Sequence, residues 1–136
     1  MTYMDLKKKH GAELGAFPMA FAFSTEQLNE GLQKLGATKE EVTSIGGGGF
    51  IKRTDVDKFV AMFNSQNAER TEACKDAEFL TDALRYELEN HEYSYTWDAE
   101  PAIDCFKGNV NIESEYFKQC LATAKKLVAA NSDGGE

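Results

Sequence analysis

Several ingredients are scarce in this sequence, and each scarcity excludes something. Only two prolines occur in 136 residues, with no low-complexity tract, which argues against extensive disorder. The longest apolar stretch, Ala16 to Phe23, is eight residues, well short of the roughly 20 that span a bilayer. Lys7-Lys8-Lys9 is followed by Gly-Ala-Glu-Leu rather than by an apolar segment. No secretory signal is therefore expected, and the chain reads as cytoplasmic. The three cysteines, Cys74, Cys105 and Cys120, are odd in number and never form a Cys-x-x-Cys pair. That suggests neither a zinc site nor a disulfide framework, and each reads as a buried thiol on the apolar side of a helix. Gly-x-Ser-x-Gly is absent, and the histidines are His10 and His91 alone, so neither a nucleophile elbow nor a His-Glu-x-x-His motif is present. No cofactor is expected, and the pattern favours a non-catalytic protein.

What is present is acid, and it is unevenly placed. Residues 1–60 carry eight acids and eight bases, whereas residues 61–110 carry eleven acids against Arg70, Lys75, Arg85 and Lys107. Such a field repels phosphate backbones, which disfavours direct nucleic-acid binding, and it can attract a basic protein surface. A solvated face that keeps the protein soluble is the plainer reading of the same charge.

The hydrophobic pattern predicts an α+β fold: four or five helices packed on a small, mainly antiparallel β-sheet. A short helix is expected over 2–14, ended by Gly15, and a buried strand over 17–23. Ser24 and Gln27 have capping-box spacing before Leu28, Leu32 and Leu35, and Gly36 stops that helix. Gly31 beside this stripe would allow close packing. Thr38 and Glu41 repeat the capping spacing. Val42 to Ile45 and Phe50 to Lys52 around Gly46-Gly47-Gly48-Gly49 predict a hairpin over 42–52. Further helices are expected from Thr54 onward, over 77–91, in a short turn after Asp98, and over 114–130. Tyr93-Ser94-Tyr95-Thr96-Trp97 alternates as a strand does. Residues 1–130 read as one domain and 131–136 as a disordered tail.

Three candidate sites emerge. The glycine run lacks the Gly-Lys-Ser/Thr of a phosphate loop, since its lysine, Lys52, comes three residues late. Gly47 and Gly48 read as a flexible tip able to approach a partner. Glu78, Asp82, Glu89 and Glu92 are the acids expected to face such a partner. Glu87 and His91 are different, because both fall inside the apolar arc of Phe79, Leu80, Ala83 and Leu84. They are an i, i+4 pair facing the interior. A buried carboxylate needs a partner or a raised pKa, so the pair is expected to brace the interior through backbone donors or an aromatic hydroxyl near the 93–97 segment. A ligand pocket or half of a metal site is the alternative, although the spacing itself predicts no metal centre.

Three blocks carry a resemblance: Phe21-Ala22-Phe23-Ser24 with Gln27 and Gly31, Val42 to Gly46 with Gly49-Phe50-Ile51, and Tyr86-Glu87-Leu88 with Asn90-His91-Glu92-Tyr93. Together they resemble a family of small proteins from bacteriophages and other mobile elements. The family has no assigned activity, so it implies no catalytic residues. It implies a host-cell setting, in which small acidic proteins often bind a host protein. The resulting expectation is a binding protein that inhibits a host factor, such as a defence nuclease, through its acidic region. A small-molecule- or metal-binding protein or enzyme centred on Glu87 and His91 is the alternative, and a homodimer a third.

Overall fold

The computed structural model describes residues 1–134, with side chains to residue 130. In chain order it has α1 (Tyr3–Ala16), β1 (Ala20–Phe21), α2 (Thr25–Leu35), β2 (Val42–Gly46), β3 (Gly49–Lys52), α3 (Val56–Ala73), α4 (Ala77–Asn90), α5 (Tyr93–Thr96), α6 (Glu100–Asp104) and α7 (Glu115–Gly134). The fold is α+β, and its one sheet among the described residues is antiparallel, ordered β1-β3-β2. Two compact units divide the chain, a larger one of residues 1–10 and 66–136 and a smaller one of residues 11–65.

In the smaller unit, Ala20, Leu35, Val42 and Phe50 form a buried cluster, with Leu28 and Leu32 of α2 against it. The capping signals act here. The Ser24 side chain accepts from the Gln27 amide, while the Gln27 side chain reaches back to the Phe23 amide. Gly36 closes α2 in the left-handed conformation that spares it a Cβ clash. Gly31 is the close approach its position suggested, since a Cβ there would lie 2.6 Å from Phe50 Cζ and 2.9 Å from Ala20 Cβ. The hairpin turns on two glycines rather than four. Gly47 and Gly48 both have positive φ, as a two-residue hairpin turn requires, while Gly46, also at positive φ, pairs with Gly49 in the strands.

The larger unit is built around α4. Its Asp76 cap accepts from the amides of Glu78 and Phe79, and Phe79, Leu80, Ala83, Leu84 and Leu88 then enter a core shared with Phe117, Cys120, Ala124 and Val128 of α7. Tyr3 and Leu6 of α1 complete it, with Ala102 and Phe106.

Three expectations need correction. The strand expected over 17–23 is two residues long, since Met19 O is taken by Lys34 Nζ and the Phe23 amide by Gln27. The strand expected over 93–97 is the helical turn α5, closed by the Trp97 amide on Tyr93 O at 2.8 Å. Alternation alone did not make it a strand, because Tyr95 and Trp97 are 84% and 68% exposed and only Tyr93 packs on the core. Strand preference reflects packing on a sheet, and these rings have none to pack on. Finally, α1 continues through Gly15 to Ala16. The last helix begins as expected and is assigned to Gly134; the side chains of the expected tail, 131–136, lie outside the described residues.

Candidate functional site

Helix α4 buries one charged side chain, Glu87, at 4% exposure; among the described residues it is the only buried polar or charged one. Both of its oxygens are engaged, and by different elements. Tyr3 of α1 donates its hydroxyl to Oε1 at 3.2 Å, and Lys7 Nζ, one turn further along α1, approaches the same oxygen at 3.5 Å. The Cys105 thiol donates to Oε2 at 3.2 Å. His91 Nε2 lies 3.4 Å from Oε2, long for a hydrogen bond. Cys105 Sγ and His91 Nε2 are 3.8 Å apart, and the thiol also reaches Pro101 O at 3.4 Å. The hydroxyl on Glu87 thus comes from the N-terminal helix, not from the 93–97 segment.

A second cation stands behind these groups. Arg70 of α3 donates Nη2 to Cys105 O at 2.7 Å and to the Tyr3 hydroxyl at 3.4 Å. Its guanidinium also lies over the rings of Phe106 and Tyr3, 5.0 and 5.6 Å from the centroids. Lys7 sits over Tyr86 and Tyr3 in the same manner, so the aromatic walls offset part of the cost of holding two cations near the core.

These surroundings set the protonation states. Burial alone would raise the Glu87 carboxyl, but the Cys105 thiol, the Lys7 charge and the Tyr3 hydroxyl together hold it below the ordinary carboxylate value. Burial, reinforced by the bond to Glu87 and by its charge, pushes the Cys105 thiol up to about 11. The Tyr3 phenol is also raised, by burial first, with Arg70 opposing and Glu87 reinforcing. A thiol at about 11 is protonated at neutral pH and is a poor nucleophile. Cys105 is therefore held as a thiol in the metal-free chain, and its sulfur converges with the donor atoms of His91 and Glu87 as a ligand set would.

The residues singled out from the sequence divide cleanly. Glu87 and His91 do meet, and the histidine is at the rim, its side chain 36% exposed. Glu78, Asp82, Glu89 and Glu92 are exposed; Glu78 and Asp82 border one depression with Leu127, while Glu89 is paired with Arg85. Gly47 and Gly48 belong to the other unit. There the Phe23 ring packs so closely on Gly48 that a Cβ would lie 2.6 Å from it, so the tip is not free backbone at that residue.

Sequence reasoning missed Cys105, Tyr3, Lys7 and Arg70. Cys105 was read as one more buried thiol; it is half-buried, while Cys74 and Cys120 are buried. The i, i+4 spacing of Tyr3 and Lys7 was the available signal for a shared face of α1. Nothing in the spacing announces that this face meets a carboxylate 84 residues away.

No helix among the described residues is long and apolar enough to cross a membrane. No curated protein and no solved structure matches the chain. A family model does: it covers residues 2–131, and the chain belongs to that family, the family of unknown function DUF7659.

Proposed function

We propose that this chain is a metal-binding protein whose ion is held by Glu87 Oε2, His91 Nε2 and Cys105 Sγ. One observation carries this reading, the triangle those atoms make, with edges of 3.2, 3.4 and 3.8 Å. Zinc bonds of about 2.0–2.3 Å at tetrahedral angles place oxygen, nitrogen and sulfur ligands roughly 3.3–3.6 Å apart, so the three atoms need to move by only a few tenths of an ångström. As hydrogen bonds two of these edges are long; as ligand separations all three are ordinary. A mixed carboxylate, imidazole and thiolate set suits zinc and its neighbours rather than magnesium or calcium. Tyr3 and Lys7 on Oε1 would orient the carboxylate from behind, as outer partners of metal ligands commonly do. Binding would displace the thiol proton, the usual cost of recruiting a cysteine.

Thermal melts test this directly. The chelator-treated chain is compared with chain loaded with Zn2+ or Co2+, alongside Glu87→Ala, His91→Ala and Cys105→Ser. At a hundredfold excess over Kd the ion should add about 2.7 kcal/mol to the stability of the wild type and little to any variant. A wild-type melting temperature indifferent to Zn2+, Co2+, Ni2+ and Mn2+ sinks the reading.

A second reading keeps the acidic surface. Glu78, Asp82 and Arg85 border a depression of about 360 Å³ between α4 and α7 together with the exposed Leu127. With Arg85 paired to Glu89, two carboxylates beside an apolar spot suit a basic, amphipathic partner, and the resemblance to small mobile-element proteins supports a host protein, such as a defence nuclease, in that role. Association would then weaken with salt and with Glu78→Lys, Asp82→Lys and Glu89→Lys together. A partner recovered from host lysate whose on-rate ignores both removes this reading.

A further inference from the structure

We propose that the ion bound at this site keeps one coordination position open, and that the position takes a small anion. The inference rests on the metal-binding reading above and names what that site would accept.

Its first support is the number of donors. Among the described residues, Glu87, His91 and Cys105 are the three metal-ligating side chains of this group whose donor atoms lie within reach of one another. A four-coordinate ion on three protein ligands leaves one position for solvent or an external ligand, which separates reactive sites from closed structural ones. The ligands are also placed for access. Glu87 is buried, but His91 and Cys105 are only half-buried, so the side of the site that carries His91 and Cys105 is the one nearer solvent.

Charge is the second support, and it is independent of the first. A carboxylate and a thiolate cancel a divalent ion. Lys7 and Arg70 then remain. Lys7 has Glu87, already counted, as its ion-pair partner, and Arg70 donates to neutral groups, the Cys105 carbonyl and the Tyr3 hydroxyl. Of the acids near the ligands, Glu89 and Asp104 are already paired with Arg85 and Lys107, Asp82 accepts from the Tyr3 amide at 3.4 Å, and Glu92 is exposed. In a chain with net charge -8, the metal-loaded site is thus a local centre of positive charge beside low-dielectric aromatic walls. Such a centre favours an anionic fourth ligand over a neutral or cationic one. The chemistry supported is small-anion capture, with azide, acetate and phosphate as probes of the class.

Cobalt reports on this, because its visible bands respond to the number and type of ligands. The full chain is loaded with Co2+ and titrated with azide, then with acetate and phosphate. A saturable change in the bands with azide is the expected result. Lys7→Met should weaken azide binding about threefold, the size of one partly screened charge nearby, while Lys7→Arg should restore it. Cobalt affinity is measured for each variant, so that loss of the ion is told apart from loss of the anion. If cobalt binds and its spectrum ignores all three anions, the position is closed and this inference fails while the metal site stands. If azide binds equally to wild type and Lys7→Met, the charge argument fails. If cobalt does not bind the wild type at all, the site and the inference fall together.

Discussion

The two units solve the same packing problem with opposite materials. The smaller one, residues 11–65, has a buried cluster that is wholly apolar and held by backbone proximity, with Gly31 admitting the Phe50 ring where a methyl group would collide. The larger one, residues 1–10 and 66–136, has a larger apolar core and leaves a carboxylate at its edge, surrounded by a phenol, an amine, a thiol and an imidazole. Tight apolar packing needs nothing beyond shape. A buried charge needs every one of its partners, and its cost is recovered only by geometry. The candidate site lies in the unit that tolerates the expensive group.

The comparison can be broken most forcefully at Glu87. In the metal-free chain, Glu87→Ala should cost about 2–4 kcal/mol, because it removes the acceptor shared by Tyr3, Lys7 and Cys105. Denaturant melts measure this, and a loss below about 0.5 kcal/mol, the scale of ordinary surface changes, would mean that the carboxylate is not integral to the core. Next in size is Gly31→Ala in the smaller unit. Alanine gains helix propensity, yet its methyl would press on Phe50 and Ala20, so a net loss of about 1–2 kcal/mol is expected. A stabilised variant would show that the small cluster has slack.

The third prediction uses pH. With the Cys105 thiol raised to about 11, its protonated form is favoured in the folded chain. Its contribution is complete below the ordinary thiol value and is lost as pH rises through about 11. Stability of the metal-free chain should fall across that alkaline window, and the slope should flatten in Cys105→Ala. At the acid end the sign reverses: Glu87, held below its ordinary value, loses its contribution as pH falls through that lowered pKa, and Glu87→Gln should flatten that limb. The smallest effect is expected at Glu92, an exposed residue at φ 57 before α5. Glu92→Gly relieves the left-handed strain but loosens the unfolded chain, leaving a gain of about 0.5 kcal/mol. Loss of stability instead would show that the Glu92 side chain has a role its exposure does not reveal.

How far the sequence carried depends on the range of the interaction. Local signals were legible: Ser24 with Gln27, Thr38 with Glu41, the glycine turn, and the periodicity that put Glu87 inside α4. Each is written within a few residues and needs no knowledge of the rest of the chain. The 93–97 segment failed because alternation describes a strand only if another strand is beside it. The site was half legible for the same reason. Glu87 and His91 lie on one helix, whereas Cys105, Arg70, Tyr3 and Lys7 come from three others or their ends, and no periodicity links them.

The bond between Tyr3 and Glu87 has a consequence for synthesis. Its ends are 84 residues apart, so the first helix emerges from the ribosome long before its acceptor exists. The contacts of residues 11–65 can be made meanwhile, since that unit is continuous in sequence. The larger unit cannot close until α4 has been delivered, and closing so long a loop is slow, although lengthening it further adds little to the free-energy cost. Until then Tyr3 and Leu6 are exposed apolar surface on an unanchored segment, the interval in which such a chain is most prone to aggregate. The Glu87 site draws on residues from Tyr3 to Cys105, so it should be absent until Cys105 has been delivered.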